Sequence, residues 1–292
     1  MHTQFKSRPH HSPVRRLCVN CDSPGIARSY LSMLELIGVS KSYGKSHVLT
    51  DISFRVDPGE FVCITGPSGA GKTTLLHLMT GAETISKGSI EIDGVDLRVV
   101  PPGALQLFRQ RLGIVFQDYK LLLNRTVAEN IAFPLEVCGV PDREIAESVE
   151  LVLELVDLKK RAHAMPASLS GGEKARAAIG RAIVHDPMII LADEPTGNVD
   201  PEQSRLIMKL FKEINASGTT IVLATHDAGL VDALHTRVIE LREGAVSRDS
   251  VGGYGKKRKH GHADHEEKYN ILAEEPHGKG TKRKVKVTSV GG

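Results

Sequence analysis

The pattern of apolar positions divides the chain into two kinds of strand. In 47–56 (HVLTDISFRV) and 88–95 (GSIEIDGV), apolar and polar residues mostly alternate, which is typical of an antiparallel sheet with one covered face. Three shorter runs, 60–65 (EFVCIT), 188–193 (MIILAD) and 219–225 (TTIVLAT), are almost continuously apolar, as in parallel strands buried on both faces. We therefore predict an α/β fold with a mixed parallel core sheet and an antiparallel β layer.

Helix start signals lie between these strands. Thr126 with Glu129 and Ser170 with Glu173 have the spacing of capping boxes, and Asp200 directly precedes a proline, a favoured arrangement in the first turn of a helix. The helical patterns are dense before 188–193, where far more chain is present than one crossover between parallel strands requires. We expect a helical subdomain of about residues 118–186 to be inserted into the core.

Charge separates a central domain from two flanking segments. The whole chain has a net charge of +3, but residues 1–32 hold five Lys or Arg and one Asp, and residues 245–292 hold eleven Lys or Arg and six acids. The remaining residues 33–244 are thus acidic, with a net charge of −6, which disfavours nucleic-acid binding by this domain. We predict one folded domain at 33–244, a basic disordered extension before it, with Met33 as an alternative translation start, and a basic disordered tail after it.

Other features of the composition narrow the class of protein. No continuous apolar stretch reaches the 18 or more residues of a membrane-spanning helix. Four cysteines, Cys18, Cys21, Cys63 and Cys138, are too few for a disulfide scaffold in a chain of this size, and we expect a reducing cytoplasm.

Residues 66–74 (GPSGAGKTT) form the first motif along the chain that indicates a binding function. They fit the pattern G-x-x-x-x-G-K-[ST] between a predicted strand and a predicted helix, which indicates a phosphate-binding loop. Lys72 is expected to reach the β- and γ-phosphates and Thr73 to ligate Mg²⁺. The predicted nucleotide-binding residues of the loop are Gly66, Pro67, Ser68, Gly69, Ala70, Gly71, Lys72, Thr73 and Thr74.

Two acids end the apolar run at 188–193. Asp193 and Glu194 are adjacent, and beside a phosphate loop the first is expected to hold Mg²⁺ and the second to polarise an attacking water.

A third motif resembles that of a known family. Residues 169–173 (LSGGE) open a helix roughly 100 residues after the phosphate loop and roughly 20 before the acid pair, and they resemble the signature motif of ABC-type ATPases. The other motifs of that family follow in order, at Tyr43, Gln117, Asp200 and His226. The resemblance covers about residues 33–244 and implies the P-loop NTPase fold of ABC type, with ATP and Mg²⁺ as cofactors.

The resemblance also implies that two copies enclose two ATP molecules. The signature residues of one copy would then face the γ-phosphate bound at Lys72 of the other. It implies that Tyr43 stacks on adenine, that Gln117 contacts Mg²⁺ or the water, and that His226 orients the γ-phosphate. The second copy would contribute Ser170, Gly171 and Gly172, and the resemblance also places Glu173 and Asp200 among the nucleotide-binding residues. Glu173 stands where the family more often has Gln, and it retains the ability to cap the helix through Ser170.

Residues 113–139 (GIVFQDYKLLLNRTVAENIAFPLEVCG) and 191–200 (LADEPTGNVD) resemble a subgroup of the family that works in cell division, lipoprotein release and macrolide export. This resemblance implies an integral membrane partner docked on apolar residues after Gln117, and a peripheral position at the cytoplasmic face of a bacterial inner membrane. Ordinary subdomain packing of those apolar residues is the alternative. A soluble ABC ATPase acting on nucleic acid through its tail is the rival function.

The flanking segments suggest three further hypotheses. The four basic residues Lys256 to Lys259 could contact anionic lipid, or could be a solvated charge run. His260, His262 and His265 could hold a metal, although they lack a defined second shell. Cys18 and Cys21 could hold zinc or take part in redox chemistry, although no second C-x-x-C pair accompanies them. We do not expect binding to a specific nucleic acid.

Overall fold

The structure is a computed structural model that describes residues 32–252. Nearly all of the predicted N-terminal extension, the two cysteines at 18 and 21, and the basic and histidine residues at 256–265 lie outside the described residues.

Ten strands and seven α-helices make up the described chain. The strands are β1 (Leu34–Tyr43), β2 (Ser46–Val56), β3 (Phe61–Thr65), β4 (Lys87–Ile92), β5 (Val95–Asp96), β6 (Leu112–Val115), β7 (Ile189–Asp193), β8 (Thr220–Ala224), β9 (Arg237–Arg242) and β10 (Ala245–Ser250). The helices are α1 (Lys72–Met79), α2 (Leu105–Arg109), α3 (Val127–Val137), α4 (Asp142–Leu155), α5 (Gly171–Ile183), α6 (Pro201–Ala216) and α7 (Ala228–Leu234).

Two sheets confirm the predicted α/β class. One sheet has the strand order β10-β9-β3-β8-β7-β6, in which β9 to β6 are parallel and β10 is antiparallel. The other is antiparallel, with the order β2-β1-β4-β5. The continuous apolar runs form parallel strands and the alternating runs form the antiparallel layer, as their patterns predict.

The parallel sheet has a separate core on each face. Val62 and Ile64 of β3 pack with α1 and the antiparallel layer, whereas Phe61 and Cys63 pack with the helices of the other face. Side chains alternate across a strand, so a strand covered on both sides is apolar at every position. The sheet therefore lies in the middle of the domain, with both faces buried.

The predicted capping residues begin their helices. At α3 and α5 the capping boxes are complete, with reciprocal hydrogen bonds between Thr126 and Glu129 and between Ser170 and Glu173. Asp200 caps α6 by accepting hydrogen bonds from the backbone N–H groups of the second and third helical residues. Local hydrogen bonding thus sets these three boundaries.

Helices α3, α4 and α5 lie between β6 and β7, in the stretch expected to form an inserted helical subdomain. Their buried side chains, together with those of α6 and α7, belong to the core on the face of the parallel sheet opposite α1. These helices therefore extend the layer that covers this face.

The predicted start of the disordered tail at residue 245 is wrong. Strand β10 occupies Ala245–Ser250 and pairs antiparallel with β9. Arg237 of β9 donates to both carboxylate oxygens of Asp249, each at 2.7 Å. A polar edge strand looks like a tail in sequence because its order depends on pairing with a neighbour rather than on burial of its own side chains.

Candidate functional site

Four parallel strands bring the predicted chemistry to one edge of the sheet. β3 leads into the phosphate loop, β6 towards Gln117, β7 into Asp193 and Glu194, and β8 towards His226. Backbone hydrogen bonds continue the strand pairing past the strand ends, from Glu194 N to Ala224 O at 2.9 Å. Since parallel strands point the same way, residues distant in sequence meet at their carboxyl ends.

The phosphate loop depends on glycine geometry. Gly69 and Gly71 have φ values of 80° and 97°, which L side chains rarely adopt. A Cβ on Gly71 would lie 2.6 Å from Leu49 Cδ2. Gly71 is also the N-cap of α1, and no side chain of the described residues caps this helix. The first backbone N–H groups of α1 are therefore available to an anion.

A cavity of about 520 Å³ opens at this loop. It brings together nine of the residues predicted from sequence, from the loop, the strand ends and the segment after β6. These are Ser68, Gly69, Gly71, Lys72, Thr73, Thr74, Gln117, Glu194 and His226. The volume is within the range of small-molecule sites.

Glu194 lies between two polar side chains of the cavity, Lys72 and His226. Its Oε1 lies 2.8 Å from His226 Nδ1 and 3.7 Å from Lys72 Nζ. Lys72 Nζ also donates to Gly66 O at 2.9 Å and to Pro67 O at 3.2 Å, so the lysine folds back onto its own loop. Glu194 is a non-glycine residue at φ 45°, a strained conformation that is common at functional sites.

Asp193 has the properties of a cation ligand. It is buried, and its Oδ1 finds no hydrogen-bond partner within residues 32–252. Burial raises the pKa of the Asp193 carboxyl, an effect partly offset by a hydrogen bond with the Thr73 side chain. A buried carboxylate oxygen beside a threonine hydroxyl and near Glu194 suits a hard cation such as Mg²⁺, which prefers oxygen ligands. These residues fit the predicted metal.

The signature residues lie apart from this cavity, at the start of α5. Ser170 Oγ accepts from Glu173 N at 3.2 Å, and Glu173 Oε2 accepts from Ser170 N at 2.8 Å. A Cβ on Gly171 would lie 2.7 Å from Asn198 O, and one on Gly172 would lie 2.9 Å from Gln203 Cδ and closer still to its Oε1. The two glycines thus allow α5 to pack closely against the segment that leads into α6, where Asp200 is the cap.

Tyr43 also falls outside the cavity lining. It ends β1 with 45% of its surface exposed, and it pairs with Ser46 across the β1–β2 hairpin. Val48, two residues further along β2, lines the cavity. The exposed ring is therefore close to the cavity mouth.

Val48 and Gly197 line the cavity but were not among the residues predicted from sequence. Val48 belongs to an alternating strand, and nothing in its own segment distinguishes it from the packing residues around it. Gly197 could have been found, because it lies between Glu194 and Asp200. A Cβ there would be 3.4 Å from Glu194 O, so the glycine leaves room beside the glutamate.

Comparison with known proteins decides the family. Residues 49–197 match the family described as ABC transporter. The chain belongs to the ABC transporter family. This chain is 46% identical over 227 residues to the cell division ATP-binding protein FtsE of Streptococcus pneumoniae, and the match covers 77% of this chain and 99% of that protein. It is 45% identical to FtsE of Mycobacterium tuberculosis, covering 77% of this chain and all of that protein.

A solved structure agrees with this assignment. The dimeric post-hydrolysis state of the ATP-binding cassette MJ0796 bound to ADP and Pi superimposes with a TM-score of 0.70 at 33% identity, covering 75% of this chain and 98% of that one. The protein is an ABC-type ATPase. Among residues 32–252, no helix has the length and apolar character needed to cross a bilayer.

Proposed function

We propose that this protein is the ATP-hydrolysing subunit of a cell-division complex of the FtsE type, and that it works as a homodimer on an integral membrane partner resembling FtsX. The observation that carries the proposal is the position of Glu194, which is buried at the carboxyl edge of the sheet between Lys72 and His226. The names of the relatives favour cell division over lipoprotein release and macrolide export.

The first step is binding of the nucleotide phosphates. The uncapped N-terminus of α1 offers backbone N–H donors, and Lys72 exchanges its contacts with the Gly66 and Pro67 carbonyls for phosphate oxygens. When this lysine turns to the phosphates, it leaves the neighbourhood of Glu194. The carboxylate then remains with His226 and is the nearest base for a water in the cavity.

The second step is attack of that water on the γ-phosphate. Glu194 takes a proton from the water as the oxygen bonds to phosphorus, and the bond to ADP breaks. His226 hydrogen-bonds Glu194 Oε1 at 2.8 Å and orients the carboxylate. Mg²⁺, held by Thr73, Asp193 and Gln117, would neutralise charge on the phosphate oxygens.

A second copy of the chain completes the site. Ser170, Gly171 and Gly172 do not line the cavity of their own chain, yet they form a helix N-terminus, which is suited to an anion. The dimeric relative bound to ADP and Pi supports a dimer of this chain. In such a pair, each α5 would present its N-terminus to the γ-phosphate held by the partner.

The membrane partner would dock beside Gln117. The segment after this residue exposes Leu123 and, at the end of α3, Val137, with 75% and 52% of their surfaces accessible. The buried Asn130 fixes the loop before α3 by accepting from Leu122 N at 2.7 Å and donating to Leu122 O at 3.0 Å. A firm loop that carries exposed apolar side chains suits a docking surface. The protein would then lie peripherally at the cytoplasmic face of the bacterial inner membrane.

The test is turnover by the full chain with Glu194 replaced by Gln. We expect kcat to fall about 10²- to 10⁴-fold, since general-base catalysis is removed, while ATP binding persists and ATP-dependent dimers accumulate in light scattering. Glu213→Gln, which removes an exposed carboxylate on α6, should hydrolyse ATP at the wild-type rate. Unchanged turnover in the Glu194 variant would exclude this residue as the base. Purification from membranes should recover an FtsX-like protein, and recovery of an import permease instead would contradict the cell-division assignment.

A further inference from the structure

Lys41 is a buried lysine on β1, two residues before Tyr43. Its Nζ donates to Glu83 Oε2 at 2.9 Å and to Thr84 O at 2.7 Å, and it lies 4.6 Å from the centre of the Tyr43 ring. Only 7% of Lys41 is exposed. A lysine is seldom buried, because an ammonium group removed from water needs a complete set of partners. Two oxygens and the face of a ring provide that set here.

Glu83 holds the same ring from a second direction. Its carboxylate accepts from Lys41, whose hydrogen bond is the main cause of the lowered pKa of Glu83, and a weaker hydrogen bond with the Tyr43 side chain lowers that pKa a little further. The ring is therefore restrained twice, by an ammonium over its face and by a carboxylate at its hydroxyl. Glu83 and Thr84, the partners of Lys41, lie in the loop that follows α1, and α1 is the helix that begins at the phosphate loop.

The restrained ring lies next to the candidate ATP site. The β1–β2 pairing sets Tyr43 opposite Ser46 and Lys41 opposite Leu49, and Val48 between them in β2 lines the cavity. The tyrosine keeps 45% of its surface exposed although one face meets the ammonium. An open aromatic surface at the mouth of a nucleotide site can stack on a base.

We propose that Lys41 and Glu83 are positioning residues that fix the Tyr43 ring so that its open face receives the nucleotide base. This inference rests on the proposed ATPase function. The ammonium occupies one face and draws electron density from the ring, which favours stacking of an electron-rich purine on the other. Lys41 does not touch the nucleotide and acts only through the tyrosine.

The experiment measures the dissociation constants of ATP and of inorganic tripolyphosphate, which has no base, for the full chain. Lys41→Met should raise the constant for ATP about 5- to 10-fold, in line with the strength of a desolvated cation–π contact. The constant for tripolyphosphate should stay within about 2-fold, because the phosphate loop is unchanged. In a Tyr43→Ala background, Lys41→Met should have no further effect on ATP.

Ser86→Ala is the matched control. Ser86 Oγ accepts from Ser42 N at 3.1 Å, so it joins the same strand to the same loop without contacting Tyr43. Its binding constants should equal those of the wild type. Lys41→Arg should restore most of the ATP affinity, and Glu83→Gln, at a partly exposed site, gives a second variant that tests the hydroxyl restraint if Lys41→Met fails to fold.

Three results would overturn the inference. Equal losses of affinity for ATP and tripolyphosphate would show that Lys41 stabilises the fold in general and does not position the tyrosine. An undiminished loss of ATP affinity in the Tyr43→Ala background would show the same. Tighter ATP binding by Lys41→Met would mean that the ammonium blocks the face that the base needs. Failure of the wild type to bind ATP would instead refute the proposed function itself.

Discussion

The two helices whose first turns are proposed to meet phosphate, α1 and α5, start in opposite ways. α1 begins after Gly71 and is capped by no described side chain, whereas α5 begins after Ser170 with a complete capping box. The first leaves its N–H donors open to a ligand within one chain. The second satisfies part of its own start through Glu173. In the proposed dimer, the open start of α1 would therefore receive the nucleotide, and the capped start of α5 would close over it from the second copy.

The strongest test of the open helix start is Gly71→Ala. The φ of 97° and the 2.6 Å approach to Leu49 should destabilise the protein by about 2 to 5 kcal/mol, from backbone strain and overpacking together, and should abolish measurable ATP binding. Calorimetry and ATP titration measure the two effects. The control is Gly69→Ala, where φ is also positive at 80° but no atom lies within 4 Å of the added Cβ. Similar losses in the two variants would show that the close approach at Gly71 is unimportant.

The capped helix start is tested by Ser170→Ala. Turnover should fall on the order of 10²-fold, as expected when one preorganised donor to a transition state is lost, and stability should fall by about 1 kcal/mol with the cap. ATP affinity of the single chain should not change, since Ser170 lies outside the cavity. Steady-state kinetics and equilibrium binding separate these effects.

Thr126→Ala provides the comparison for Ser170→Ala. It removes the equivalent capping box of α3 and should cost similar stability while leaving turnover without a membrane partner unchanged. If both variants lose turnover equally, the signature serine acts only as a cap.

A smaller effect should follow from the Glu173 carboxylate. Its pKa is lowered from the ordinary value of 4.5, mainly by the hydrogen bond from the Ser170 backbone and further by Arg161 and Arg176. Because the folded protein binds this proton less tightly than the unfolded chain, the stabilisation is complete above about pH 4.5 and is lost as pH falls below it. Glu173→Gln should therefore lower the free energy of unfolding by at most about 1 kcal/mol at pH 7. Denaturation series at several pH values should show the difference disappearing in acid, and a constant difference down to pH 3 would contradict this origin.

Prediction from the sequence was most reliable for local features, which residues close together in the chain determine. The strand class of 60–65, the position of the glycine loop between a strand and a helix, and the caps at Thr126 and Ser170 each depend on neighbouring residues, and the structure agrees at each. Val48 could not be found in this way, because its place in the cavity lining depends on the tertiary fold and not on the residues next to it in sequence. Strand β10 was missed for the same physical reason, since its order depends on the partner β9 and on Arg237.

The backbone of Glu194 carries a further consequence. At φ 45° this position favours glycine or asparagine over glutamate, so the fold alone would prefer another residue there. Selection for heat resistance without selection for turnover would tend to discard the glutamate. In the proposed mechanism, this position therefore gives up some stability for catalysis.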